Sequence, residues 1–299
     1  MRPPQSPLVG SLGGFVRDWT YRPSGISLLT RLARLRALAL GAGQFPAHST
    51  MRPVTPKARW TCYFAYVPDG RLTAAHEFTL ARLRALDAGL LVVCAAASPQ
   101  DVPAAILDQA DAVCWKALSG YDFSGYSVGL REVAKRSAHA DVLVLNDSVL
   151  GPFGDLHAHF ANAPWDLTGL TASAMVENHI QSYCFQIRDV TPVTLRQLRS
   201  VLPDRIAFNR GPDVVAFQET RMARVAAATM SVGALLYADE TIGDPSLQAP
   251  IPLLQAGFPF LKLGLFTKAA RFADAETLCN LLDERGHPLP DVRPGNAGR

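Results

Sequence analysis

Four short runs, 60–67 (WTCYFAYV), 90–95 (LLVVCA), 112–115 (AVCW) and 141–145 (DVLVL), alternate with three segments of helical spacing at 72–86, 102–110 and 126–137. The runs are apolar almost throughout and rich in β-branched or aromatic residues, the pattern of strands covered on both faces. Regular alternation of strand and helix marks a parallel sheet with crossover helices. A sheet of this kind binds its ligands beyond the carboxyl ends of the strands. The residues that follow each run are therefore the first place to look for chemistry.

The fourth run ends in Asn146-Asp147-Ser148, and Gly151-Pro152 turns the chain directly beyond it. An aspartate at a strand end is suited to a divalent cation, and a cation is what a leaving diphosphate requires. The same three residues also suit a plain strand cap that opens a turn. No G-x-G-x-x-G follows the first strand and no G-x-x-x-x-G-K-[ST] occurs, which disfavours dinucleotide cofactors and P-loop chemistry. Zinc hydrolysis is disfavoured too, because the seven histidines never form H-E-x-x-H, and His157 and His159 fall on different faces of a helix. There is no G-x-S-x-G elbow for a serine hydrolase.

Beyond residue 145 the pattern changes. Segments 166–171 and 180–187 read as strands, the second alternating polar and apolar as an antiparallel or edge strand does. Helices are predicted at 155–162, 192–202, 213–230 and 273–285, and Gly257-Phe258-Pro259-Phe260 makes a tight apolar corner. At the other end, residues 1–25 are rich in Pro, Gly and Ser and are expected to be loose. Residues 26–40 form a basic amphipathic helix, with Leu28, Leu29, Leu32, Leu35 and Ala39 on one stripe and Arg31, Arg34 and Arg36 off it. Docking of that stripe on the chain's own domain is expected, with an anionic membrane surface as the alternative. Residues 41–56 read as a linker. The expected organisation is an extension at 1–58, a folded domain at 59–285 and a loose tail at 286–299.

With 18% charged residues and a net charge of +3, the chain shows no basic run that would bind nucleic acid. Five scattered cysteines without C-x-x-C spacing, three of them inside strand runs, read as reduced, buried thiols. No apolar run is long enough to cross a bilayer, and the opening MRPPQSPLVGSLGG lacks the form of a secretory signal. A cytoplasmic location is expected, with peripheral contact at the inner face of the cell membrane possible through 26–40.

Four segments then occur in one order: Gly120-Tyr121-Asp122-Phe123 with Gly129-Leu130; Leu145-Asn146-Asp147-Ser148 with Gly151-Pro152; Asp166 and Gly169-Leu170-Thr171 followed by His179-Ile180-Gln181-Ser182-Tyr183; and Gly257-Phe258-Pro259-Phe260-Leu261-Lys262. Together they resemble the rhamnan-synthesis F family of rhamnosyltransferase-like proteins over roughly residues 59–285. The chain departs from the family pattern at Thr168, at Cys184 and in the run 124–126. The resemblance implies an α/β fold of the GT-A glycosyltransferase type: a nucleotide-sugar-binding sheet, mostly parallel, flanked by helices, with an antiparallel strand in the second half. It also implies an inverting transfer of a deoxy-sugar, L-rhamnose, from a donor such as dTDP-rhamnose to a glycan or lipid-linked glycan of the bacterial cell envelope.

Such a transfer passes through an oxocarbenium-like transition state and needs a base for the acceptor hydroxyl. Candidates for the base are Asp166, His179 and Glu219. Asp147 is the expected ligand of a divalent cation, Mg or Mn. Asn146 and Ser148 orient it or touch ribose, and a Lys or Arg is the alternative source of positive charge. Asp122 is either a donor contact or a turn cap, and Tyr121 and Phe123 either stack on the donor or pack in the core. Gln181 and Ser182 suit recognition of the acceptor sugar. Lys262 either reaches the diphosphate or snorkels at the surface. Two rival functions stay open: a non-catalytic glycan-binding or scaffold protein of polysaccharide assembly, and an unrelated nucleotide-binding α/β enzyme.

Overall fold

The computed structural model describes residues 15–239 and 241–290. Residues 1–14 of the stretch expected to be loose, and 291–299 of the tail, lie outside them. The strands in chain order are β1 (Phe15–Thr20), β2 (Ala42–Gln44), β3 (His48–Arg52), β4 (Arg59–Tyr66), β5 (Gly89–Ala95), β6 (Ala112–Lys116) and β7 (Ala140–Asn146). They continue with β8 (Val149–Leu150), β9 (Leu167–Ser173), β10 (His179–Ile180), β11 (Cys184–Val190), β12 (Ile206–Phe208), β13 (Val232–Ala238) and β14 (Leu261–Lys262). Among the described residues, ten of these build one sheet in the order β1-β13-β9-β11-β7-β4-β5-β6-β3, with β10 beside β9.

β7, β4, β5 and β6 are parallel neighbours. β11 lies antiparallel to both β7 and β9, so β9, and β13 parallel to it, run the same way as the first four. Most of the sheet thus points in one direction, as the alternation predicts, and all those carboxyl ends fall along one edge. Helices cover both faces. In β4, alternate residues serve opposite cores: Trp60, Cys62 and Phe64 face one, while Tyr63 and Ala65 join Leu80, Leu83 and Ile106 in the other. Leu80 and Leu83 come from α2 (Ala74–Arg84) and Ile106 from α3 (Ala104–Gln109), both of which follow α1 (Leu28–Arg36) in the chain.

The first of those cores lies under α4 (Tyr121–Arg136), which approaches the sheet closely. A Cβ on Gly129 would stand 2.5 Å from the Cys62 sulfur, and one on Gly125 would stand 2.2 Å from the Phe64 ring. α4 begins five residues earlier than its apolar spacing predicts, so Asp122 lies in its first turn. Gly120 caps it in the left-handed conformation, φ +88°, which glycine adopts without a steric penalty.

Several expectations are corrected. Residues 15–20 are not loose but pair antiparallel with β13, and His48–Arg52, inside the expected linker, pair with β6. The sheet therefore crosses the boundary expected at residue 59. Both are edge strands, β1 exposed at every second residue and β3 throughout, so neither shows the continuous apolar run of a central strand. Segment 180–187 is two strands, β10 and β11, joined through Gln181–Ser182–Tyr183, and β11 is antiparallel as expected but lies inside the sheet, between β7 and β9. The helix expected at 213–230 is present but runs without a break from Gly211 to Ala226, with a π-helical turn at Val215–Glu219 inside it. In the tail, His287 is buried and packs against Phe78, with ring centroids 4.4 Å apart.

α1 is turned outward. Its leucine stripe does not dock on the domain: Leu28, Leu29, Leu32 and Leu35 are all more than half exposed. Arg34 instead faces inward, where its guanidinium meets the buried Glu177 carboxylate and donates to Thr220 Oγ1 at 3.0 Å, with Nε donating to the Ala216 carbonyl at 2.9 Å. Arg224 approaches the other oxygen of Glu177 at 2.7 Å. Burial, with Arg221 and Arg224 nearby, lowers the Arg34 pKa to about 10. Among the described residues no helix is long and apolar enough to cross a membrane.

Candidate active site

Each of the four motif segments sends residues to the carboxyl edge of the sheet, from Tyr121 and Asp122 to Lys262. Asn146 closes β7, and its side chain is a hub. Nδ2 donates to Asp122 Oδ2 at 2.7 Å, and Oδ1 accepts from the Ser148 hydroxyl at 2.6 Å and the Ser148 backbone N–H at 3.1 Å. The first two motifs are thereby tied together. The fourth joins through the chain beyond Gly151: β14 pairs antiparallel with β8, and the Leu263 N–H donates to the Ser148 carbonyl at 2.9 Å. The Phe153 N–H, likewise, donates to the Pro259 carbonyl at 2.8 Å. This pairing carries Lys262 to within 3.8 Å of the Tyr183 ring centroid, while Tyr183 itself is wedged against Phe260.

Asp147 lines a cavity of about 350 Å³ together with Tyr63, Tyr66, His76, Ser148, Gln181, Glu219, Asp244, Lys262 and Lys268. Its Oδ2 accepts from the Tyr66 backbone N–H at 2.6 Å and from His76 Nε2 at 3.3 Å. The Thr73 N–H donates to His76 Nδ1 at 3.2 Å, so the ring proton sits on Nε2, directed at the carboxylate. Both of these bonds fall on Oδ2, which leaves Oδ1 to the cavity. A single carboxylate acting with substrate phosphates is the donor set of many Mg²⁺ sites, and Asp147 fits that role. An all-protein cage is a different matter: among the described residues no three His, Cys, Asp or Glu side chains converge on a metal position.

A second, larger cavity of about 780 Å³ lies beside the first. Leu29, Ala33, Val176, Val214 and Val215 make its lining largely apolar, and Tyr121, Asp122, Glu219 and Lys268 add polar groups. Glu219, Val215 and Lys268 line both. Glu219 closes the π-helical turn, and its Oε2 accepts from the Ser182 hydroxyl at 2.9 Å. Tyr126 donates to the Ser182 carbonyl at 2.9 Å from the core side, which fixes that segment. Burial and the neighbouring Glu219 push the Asp122 pKa up. Burial pulls the Lys262 pKa down, opposed by Asp244, Glu219 and Asp122.

Of the residues singled out in the sequence, Asn146, Asp147, Ser148, Tyr121, Asp122, Gln181, Ser182, Glu219 and Lys262 come together here. Three do not. Asp166 lies at the amino end of β9, on the opposite edge of the sheet, where its Oδ2 accepts from the Ser231 N–H at 2.8 Å and the Ser231 hydroxyl at 2.7 Å. His179 is buried behind the site with Nδ1 2.8 Å from the Glu177 carbonyl, it lines neither cavity, and burial lowers its pKa. Phe123 is fully buried against Tyr126 and is a core residue. Conversely, Tyr66, His76, Asp244 and Lys268 were not legible. His76 had one faint signal, Thr73 three residues before it, which is the spacing of a capping box.

A family model described as rhamnan synthesis protein F matches residues 90–287. No curated protein matches the chain. Among the solved structures similar to it are two of nucleotide-handling proteins. One is a 4-diphosphocytidyl-2C-methyl-D-erythritol synthase from Anaerococcus prevotii DSM 20548, at 10% identity and a TM-score of 0.40, covering 67% of this chain and 96% of the other. The second is a candidate nucleotide-diphospho-sugar transferase from Desulfovibrio desulfuricans G20, at 12% identity and a TM-score of 0.34, covering 75% and 96%. Likeness at this level carries no assignment of function.

Proposed function

The chain belongs to the rhamnan synthesis protein F family, and on that premise we propose that it is a glycosyltransferase. The reading extends to an inverting transfer of a deoxy-sugar, L-rhamnose, from a nucleotide diphosphate to a glycan or lipid-linked glycan acceptor. One observation carries it: Glu219 stands on the wall shared by a charged cavity and an apolar one, with its carboxylate oriented by Ser182. A base at such a junction can take the proton of a hydroxyl that enters from one side while a donor is held on the other.

The polar cavity holds the donor in this reading. Lys262 faces the diphosphate as a point charge, and its place over the Tyr183 ring keeps the ammonium partly desolvated. Desolvation strengthens its attraction for an incoming anion. A divalent cation, magnesium or manganese, would be held by Asp147 with the donor's own phosphate oxygens, and when bound it neutralises charge on the leaving diphosphate. Asp122 and Asn146 act one layer behind, holding Ser148 and the strand end in register. Gln181 accepts from Thr171 Oγ1 through Oε1 at 2.6 Å, which leaves its amide N–H groups for a sugar hydroxyl.

The test is release of nucleoside diphosphate from a panel of nucleotide sugars, with Mg²⁺, Mn²⁺ or chelator. A dTDP-deoxy-sugar should turn over fastest. Should no donor turn over while the protein still binds glycan, it is the glycan-binding scaffold and the transferase reading is lost.

A further inference from the structure

We infer that α1 is a docking element for an anionic lipid bilayer, seated through its leucines. Leu28, Leu32 and Leu35, with Leu38 and Leu40 after them, are between 44% and 79% exposed, although a stripe at this spacing ordinarily faces a core. The outward orientation is fixed rather than loose. Arg34 is clamped to the buried Glu177 and to Thr220 on the opposite side of the helix, so the fold itself holds the leucines toward solvent. Exposed Met175 and Val176 add further apolar surface, and Val176 lines the same cavity as Leu29.

Charge selects the occupant. From residue 19 to 68 the sequence holds seven Lys and Arg and no Asp or Glu. Arg22, Arg31 and Arg36 are exposed around the leucines. A second copy packed on this face about a two-fold axis would bring those arginines toward each other, with no carboxylate from this segment to answer them. An anionic bilayer answers them directly, while its acyl boundary takes the leucines. Leu29 and Ala33 also line the larger cavity, so the docked helix sets that cavity, with Asp122 and Glu219 on its wall, beside the lipid interface. The inference does not depend on the transferase reading, because it concerns binding alone.

The full chain is tested by co-sedimentation with vesicles of phosphatidylcholine alone and of phosphatidylcholine with phosphatidylglycerol. Wild type should pellet with the anionic vesicles. The variant Leu28→Gln/Leu32→Gln/Leu35→Gln should lose roughly tenfold or more of that binding while its melting temperature is unchanged. Arg31→Glu with Arg36→Glu should lose a similar factor on anionic vesicles only. Wild type that stays in the supernatant with anionic vesicles at low salt overturns the proposal. So does sedimentation velocity showing a dimer that the leucine variant dissociates, because a second copy is then what covers the face.

Discussion

Asp147 and Asp166 are nearly the same residue in two places. Each follows or precedes a strand, and each accepts a backbone N–H plus a side-chain donor on Oδ2. Asp147 lies at the carboxyl edge of the sheet, where Asp122, Glu219, Asp244 and Lys262 crowd around two cavities. Asp166 lies at the amino edge, exposed, stitching β9 to the start of β13. The amino edge is otherwise held by pairs such as Arg84–Asp111 and Arg59–Asp87, at least partly in solvent, where each contributes little. Local hydrogen bonding is alike at the two ends. What differs is which strand ends converge with loops from the rest of the chain.

That contrast can be broken by substitution. Glu219→Gln keeps the shape of the shared wall and removes the base, so transfer should fall by roughly 10²–10⁴-fold in single-turnover assays. Asp147→Asn retains an acceptor for Tyr66 and His76 and should cost about 10²-fold in donor turnover with the melting temperature unchanged. Wild-type rates in that variant would remove Asp147 from the reaction. Lys262→Met preserves the packing on Tyr183 and should raise the KM for the donor by roughly tenfold, without altering metal-free folding.

The amino edge answers to pH instead. His159, in the helix Leu156–Phe160, is buried with Nδ1 unpartnered, and burial lowers its pKa to about 4. His157, beside Thr61, is lowered by burial as well. A histidine with a lowered folded pKa binds fewer protons in the native state. Its contribution is therefore present above the ordinary value near 6.5 and is lost as pH falls from there toward 4. The full loss from His159 is about 3 kcal/mol. Thermal melts between pH 7 and 4 should show it, and His159→Leu should flatten the curve. The smallest effect belongs to Asp166→Ala: about 1 kcal/mol of stability for the lost Ser231 contacts, with transfer at the wild-type rate. A loss of transfer there would put the chemistry at the wrong edge.

Much of the carboxyl edge was legible. The apolar runs 60–67, 90–95, 112–115 and 141–145 became β4 to β7, because a strand buried on both faces must be apolar along its length. β1, β3 and β13 were not. The first two are edges, β1 exposed at every second residue and β3 along its whole length, and β13 carries Gly233 and small residues, the glycine lying under Trp165, whose ring a Cβ there would meet at 2.2 Å. Glu219 was readable only as one glutamate on a long helix. The π-helical turn that ends on it adds a residue to that turn and changes the face it presents, which no periodicity in 213–230 announces.

Sequence alone therefore determined the strand–helix order, the direction of the central strands and Asn146-Asp147-Ser148 at a strand end, because these follow from neighbours in the chain. The tertiary structure alone decided which carboxylates share a cavity, that Lys262 lies over Tyr183, and that the leucines of α1 face outward while Arg34 faces in. Those outcomes depend on partners far away in the chain, such as Glu177 for Arg34 and Ser182 for Glu219. No local pattern encodes a contact whose other half lies elsewhere.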